Sequence, residues 1–193
     1  DQLYFAGSLC ILNYLILTGY DALGVRYVGA SLSYGKTALT ALISYPFSYN
    51  LGFALFTGGA VRYRLYTGWG LSAQQIAAIV GFNGFFFWLA LCVLGGAALL
   101  IQPDIVHTVL DLPLGASYAI AFILELPLVC FAAAAIKGVK VLKWGTWHVP
   151  MPPLRMCISA LMIASADWLV SAAILFTLIP HHPYLSFTQF LSV

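Results

Sequence analysis

Six residues in this 193-residue chain carry chemistry that their surroundings do not explain. Arg62 and Arg64 stand two apart, just after Gly58 and Gly59. A guanidinium holds a phosphate through two parallel N–H···O bonds, so this pair suits a phosphodiester headgroup. Asp21, Glu125 and Asp167 each lie inside an apolar run, and Asn50 interrupts another. Asp21 lies within about two turns of the basic end and is expected near that membrane surface. A carboxylate at the mid-span position of Glu125 costs about 2.5–3.5 kcal/mol on insertion scales, so it must be protonated, paired or hydrated. Such acids suit a cationic group, and a substrate with both a phosphate and an amine would use both kinds of site. Plainer roles stay open: the acids bond to neighbouring helices and the arginines set the orientation of the chain. Asp21 in particular has Arg26, Arg62, Arg64 or a cationic substrate group as candidate partners.

Other chemistries lack their residues. Cys10, Cys92, Cys130 and Cys157 occur singly in apolar segments, without ligand spacing or a disulfide framework. His181 and His182 adjoin on one loop without a third ligand nearby, so no metal and no other cofactor is expected. A membrane-embedded enzyme with Glu125 and Asp167 as acid and base lacks a nucleophile and an identifiable scissile group. The net charge of +2 offers no basic stripe for nucleic acid.

The elements that must position these residues follow from composition. Hydrophobic residues make up 62% of the chain and charged residues 7%, whereas soluble domains carry about 25% charged residues. An all-α, polytopic integral membrane bundle is the expected fold. A spanning helix needs about 20 apolar residues. The segments Leu3–Val25, Ser72–Ile101, Ala116–Ile136 and Met156–Ile179 meet that need. Ser72 and Gln75 fit a capping box, with Leu71 and Ile76 as its hydrophobic staple. Asn83 is expected to bond to another helix.

Between Lys36 and Arg62 lie 25 uncharged residues, 37–61. That is too few for two crossings, and one crossing would put cations on both sides of the membrane. A re-entrant hairpin resolves the conflict, with Pro46, Asn50, Gly52, Gly58 and Gly59 as its kink, turn and hinge residues. The alternative is one kinked span. The loops agree with the hairpin. Lys137, Lys140, Lys143 and Arg155 gather in one loop, which is therefore cytoplasmic, while Gln102–Gly115 and Pro180–Pro183 hold no Lys or Arg. Asp1 and Gln2 open the chain without a basic leader, and Tyr184–Val193 is too short to span. A fragment of a longer protein is expected.

Three stretches carry a resemblance: LGFALFTGGAVRYRLYTGWGLSAQQI from Leu51, LNYLILTGYDALGVRYVG at Leu12–Gly29, and ADWLVSAAILFTLIP at Ala166–Pro180. Together they resemble the membrane region of the bacterial lysylphosphatidylglycerol synthetase and flippase family, the multiple peptide resistance factors. The resemblance implies that residues 1–193 are part of a lipid-flippase-like domain in a bacterial inner membrane. It implies translocation of lysyl- or alanyl-phosphatidylglycerol to the outer leaflet and resistance to cationic antimicrobial peptides. The partners implied are phosphatidylglycerol, its aminoacylated form, further helices and a soluble synthase domain, with a homo-oligomer also allowed. Aminoacyl transfer itself would belong to that absent domain. The motif positions carried over are Asp21, Asn50, Gly58, Gly59, Arg62, Arg64 and Asp167. The competing expectation is a membrane scaffold that anchors a lipid-modifying enzyme.

Overall fold

The computed structural model of the protein describes residues 2–51, 54–104, 113–139, 141–144, 147–179, 187 and 190. Apolar runs in hydrocarbon must satisfy their own backbone, which selects helices. Six are described: α1 (Gln2–Tyr27), α2 (Tyr34–Leu51), α3 (Ala54–Gly68), α4 (Ala73–Ile101), α5 (Leu114–Ile136) and α6 (Leu154–Leu178). Four of them, α1, α4, α5 and α6, are long and apolar enough to cross a membrane, at 26, 29, 23 and 25 residues. The molecule is an all-α, multi-pass membrane bundle.

Over the stretch where a re-entrant hairpin is expected, two helices pack against each other, with longer arms than 37–61. Its two helices, α2 and α3, have 18 and 15 residues, about 27 and 22 Å at 1.5 Å per residue. Both fall short of a hydrocarbon core of about 30 Å. The tip, with Gly52, lies outside the described residues. Pro46 sits inside α2, while Gly58 and Gly59 sit within α3.

Contacts run in reverse order between packed neighbours, so these pairs are antiparallel. In α1 and α6, Asn13 meets Ser171 and Gly19 meets Ile163. In α4 and α5, Phe85 meets Phe131 and Gly96 meets Glu125. In α2 and α3, Lys36 meets Trp69 and Ser48 meets Gly58. The alternation gathers on one side the five helix ends that carry Arg26, Lys36, Arg64, Lys137 and Arg155, together with the start of α4. There α1, α3 and α5 stop in the same way. Gly29, Gly70 and Gly138 take left-handed φ of 68°, 91° and 69°. Each following residue bonds back five residues, Ala30 to Val25, Leu71 to Tyr66 and Val139 to Ala134, at 3.0–3.1 Å. This is the Schellman stop, which satisfies carbonyls that a helix end otherwise leaves open.

The Ser72–Gln75 capping box forms at the start of α4. Two apolar clusters hold the bundle: Tyr20, Phe82, Phe86 and Leu89 against Ala160 and Ala164 of α6, and Val25, Tyr66, Leu71, Ile76 and Ile79 nearer the basic end. One element departs from the sequence reading. The basic loop contains an antiparallel ribbon, β1 (Val141–Trp144) with β2 (Trp147–Pro150), in which Trp144 pairs with Trp147. Val141 and Leu142 adjoin in β1 and only β2 alternates, Trp147 and Val149 around His148, so the β-branched and aromatic residues there show no clear strand period among the prolines and lysines. Tyr27 docks the ribbon onto α1 by donating its hydroxyl to the Pro150 carbonyl at 2.7 Å.

Candidate functional site

Asp21 is fully buried, and donors from two other helices converge on its carboxylate. From α3, Arg62 Nε donates to Oδ1 at 3.2 Å and to Oδ2 at 3.0 Å, and Nη2 donates to Oδ1 at 2.8 Å. Tyr66, also on α3, donates its hydroxyl to Oδ2 at 2.8 Å. From α4, Asn83 Nδ2 donates to Oδ1 at 2.9 Å. The cation is enclosed as well. Arg62 reaches the Gly58 carbonyl at 3.4 Å, and its guanidinium carbon lies 4.6 Å from the centre of the Tyr45 ring.

Local sequence explains the arrangement. Gly58, Arg62 and Tyr66 are spaced by four and so lie along one face of α3. A Cβ on Gly58 would overlap Ser48 Oγ of α2 and stand 3.1 Å from Arg62 Nη1. Glycine is what lets the two arms close around the guanidinium. On α1, a Cβ at Gly24 would stand 2.9 Å from Ile79 and 3.1 Å from Asn83 Oδ1, so Gly24 brings α4 near enough for Asn83 to reach Asp21. The inner face of α2 is a buried stripe of small hydroxyl residues, Thr37, Thr40, Ser44 and Ser48. Small residues of this kind let membrane helices approach closely.

Arg64 is not part of this cluster. Two residues on, it points about 200° around α3 from Arg62 and is exposed at the basic end. Glu125 lies on another seam, between α5 and α4, where a Cβ on Gly96 would meet its Oε1 at 2.7 Å. Asn50 belongs to the last turn of α2, and its side chain lies outside what the structure describes. Gly59 has open space where a Cβ would go.

Asp167 lies in a second polar region, between α1 and α6. It lines a cleft of about 290 Å³ together with Asn13, Tyr14, Tyr49, Trp168 and Ser171. Asn13 Nδ2 donates to Ser171 Oγ at 3.2 Å and also hydrogen-bonds the Asp167 side chain. Asp167 Oδ1 and Asn13 Oδ1 are buried and receive no donor. Among the described residues, Asp167 has no cationic partner. Trp168 spends its N–H on the Phe87 carbonyl of α4, at 3.1 Å.

Sequence reading singled out the acids and Arg62 but missed Tyr66, Tyr45, Asn13 and Ser171. Two signals were available: Tyr66 follows Arg62 by four residues, and Ser171 follows Asp167 by four, which puts each pair on one helix face.

No family model matches the chain. It is 34% identical over 188 residues to the uncharacterized protein slr0712 of Synechocystis sp., an alignment that covers 97% of this chain and 58% of that protein. Over 185 residues it is 29% identical to the inner membrane protein YbhN of Escherichia coli, covering 90% of this chain and 55% of that one. The chain thus spans a little more than half the length of both curated relatives, and it is a multi-pass membrane protein similar to an inner membrane protein of Escherichia coli.

Proposed function

We propose that the chain is the membrane part of a lipid translocase that carries aminoacyl-phosphatidylglycerol from the inner to the outer leaflet of a bacterial inner membrane. The observation that carries this reading is the Asp21–Arg62 pair, an ionised couple shut inside apolar helices at the root of a short hairpin. Ionisable groups buried among apolar helices are costly and commonly mark the path of a polar substrate. Arg26, Lys36 and Arg64 at the basic end meet the lipid phosphate first. Arg62 takes the phosphate only when Asp21 releases it, which makes the pair a two-state element that the substrate biases. Glu125 and Asp167 receive the amine deeper in the bundle. Asn50 lies towards the hairpin tip on the same route, and Pro46, Gly52, Gly58 and Gly59 accommodate the hairpin's movement. An attached synthase domain, further helices, a homo-oligomer and resistance to cationic peptides belong to this proposal for the whole protein.

A scaffold that anchors a lipid-modifying enzyme is the second reading, and the completeness of the Asp21 shell favours it. One experiment separates the two. Outer-leaflet aminoacyl-phosphatidylglycerol is measured in cells that contain this lipid and express the full-length protein with Arg62→Lys or Arg64→Ala, alongside total aminoacylated lipid and protein level. Lysine keeps the charge but not the two-pronged geometry. A translocase loses outer-leaflet lipid at unchanged total. Unchanged outer-leaflet lipid in both variants removes the arginines from transport and leaves the scaffold.

A further inference from the structure

The Asp167 cleft holds a carboxylate that faces no cation among the described residues; the hydroxyls of Tyr14 and Tyr49 line it, and the buried Tyr20 hydroxyl lies near Asp167, yet two of its buried acceptors stay open. Asp167 and Asn13 are 3% and 8% exposed, yet Oδ1 of each lacks a hydrogen-bond donor. Ser171 Oγ takes one hydrogen bond from Asn13 and keeps a second lone pair. The Trp168 N–H is already spent on Phe87. Buried acceptors left open in this way cost stability unless something supplies donors. A phosphate would bring a second anion beside the Asp167 carboxylate, with no cation among the described residues to balance either, so it does not belong here.

We infer that this cleft binds a primary ammonium group, with Asp167 Oδ1, Asn13 Oδ1 and Ser171 Oγ accepting its three N–H donors. Tyr14, Tyr49 and Trp168 line the same cleft, and aromatic residues are suited to a cation because a ring face attracts one. A bare metal ion fits less well. Calcium takes about six to eight oxygen ligands, and no group of three His, Cys, Asp or Glu side chains occurs among the described residues. A quaternary ammonium has no N–H and leaves the acceptors open, so the cleft selects primary amines over choline. Asp167 stands 13 residues from the start of α6, about 20 Å along its axis. The amine is therefore held near mid-depth, far from the basic end. This deepens the translocase reading by giving the amine a defined site at Asp167, and it rests on that reading only for the amine being carried by a lipid.

The test uses full-length protein in phosphatidylglycerol nanodiscs, with Trp168 emission isolated by comparison with Trp168→Phe. Graded phosphatidylethanolamine or phosphatidylcholine is included in the discs, and ethylammonium is added separately from solution. Phosphatidylethanolamine shifts the emission and phosphatidylcholine does not. Asp167→Asn weakens the apparent affinity about 10- to 100-fold, as loss of a charged hydrogen-bond acceptor predicts. Ser171→Ala weakens it severalfold and serves if Asp167→Asn does not elute as a single species. Equal responses to the two lipids, or affinity unchanged in both variants, overturn the inference. A response to ethylammonium alone, lost in Asp167→Asn, upholds the ammonium site and sinks the lipid as its source.

Discussion

Asp21 and Asp167 are both buried aspartates at helix seams of the same bundle, and they are held in opposite ways. Asp21 accepts from an arginine fork, a tyrosine hydroxyl and an asparagine amide drawn from two other helices. Asp167 has one amide neighbour and an oxygen with no donor. Burial alone therefore does not separate a clamp from a binding group. The count of donors does, because a satisfied carboxylate gains little from a ligand whereas an open one gains a full hydrogen bond.

The sharpest way to break this contrast is to strip the Asp21 pair. Asp21→Ala or Arg62→Ala alone leaves a buried charge without its partner, and each is expected to cost about 3–5 kcal/mol. Asp21→Ala with Arg62→Ala is expected to cost much less than the sum of the two, because neither charge is then orphaned. Equilibrium unfolding of the purified protein in mixed detergent measures all three. If the single variants unfold like the wild type, Asp21 is no clamp. Tyr66→Phe probes the same shell more gently. It removes one hydrogen bond to a charged oxygen and is expected to cost about 1.5–3 kcal/mol without loss of the fold.

The hairpin's glycines sharpen the comparison from the Arg62 side. Gly58→Val meets Ser48 and Arg62 directly, and overpacking of this kind costs about 1–3 kcal/mol. Gly59→Ala points into open space and is expected to stay within about 0.5 kcal/mol of wild type. Similar melting temperatures for the two would mean that the arms of the hairpin do not close around the guanidinium.

The spans were legible because length and apolarity alone decide what hydrocarbon accepts, and the start of α4 was legible because a capping box is local. The hairpin was legible from a charge conflict, since 25 uncharged residues lie between cations. The Asp21–Arg62 pairing was not resolved among Arg26, Arg62 and Arg64, because it joins residues 41 apart and depends on α3 folding back against α1. Arg62 and Arg64 read as one pair by spacing, yet helical geometry sends them to different sides of α3. The ribbon at 141–150 was hidden for another reason: its strands are four residues each, below the length at which alternation stands out among lysines and prolines.

The smallest expected change in stability is also the most discriminating. Asp167→Asn keeps the shape of the side chain and removes a charge that no cation balances among the described residues. Asn13 can still donate to the amide oxygen. Replacing a poorly satisfied buried group with one of the same shape is close to neutral. Unfolding is therefore expected to shift by less than about 1 kcal/mol, in either direction, while binding of a primary amine falls. The same change at Asp21 leaves Arg62 facing a neutral amide in a closed cavity and is expected to destabilise by several times as much, on the order of 3 kcal/mol. Two identical substitutions in one bundle thus have opposite readouts, one in stability and one in ligand affinity. A loss of about 3 kcal/mol at Asp167 would make it a second clamp whose donors the packing supplies in some other way, and the contrast between the two carboxylates would not hold.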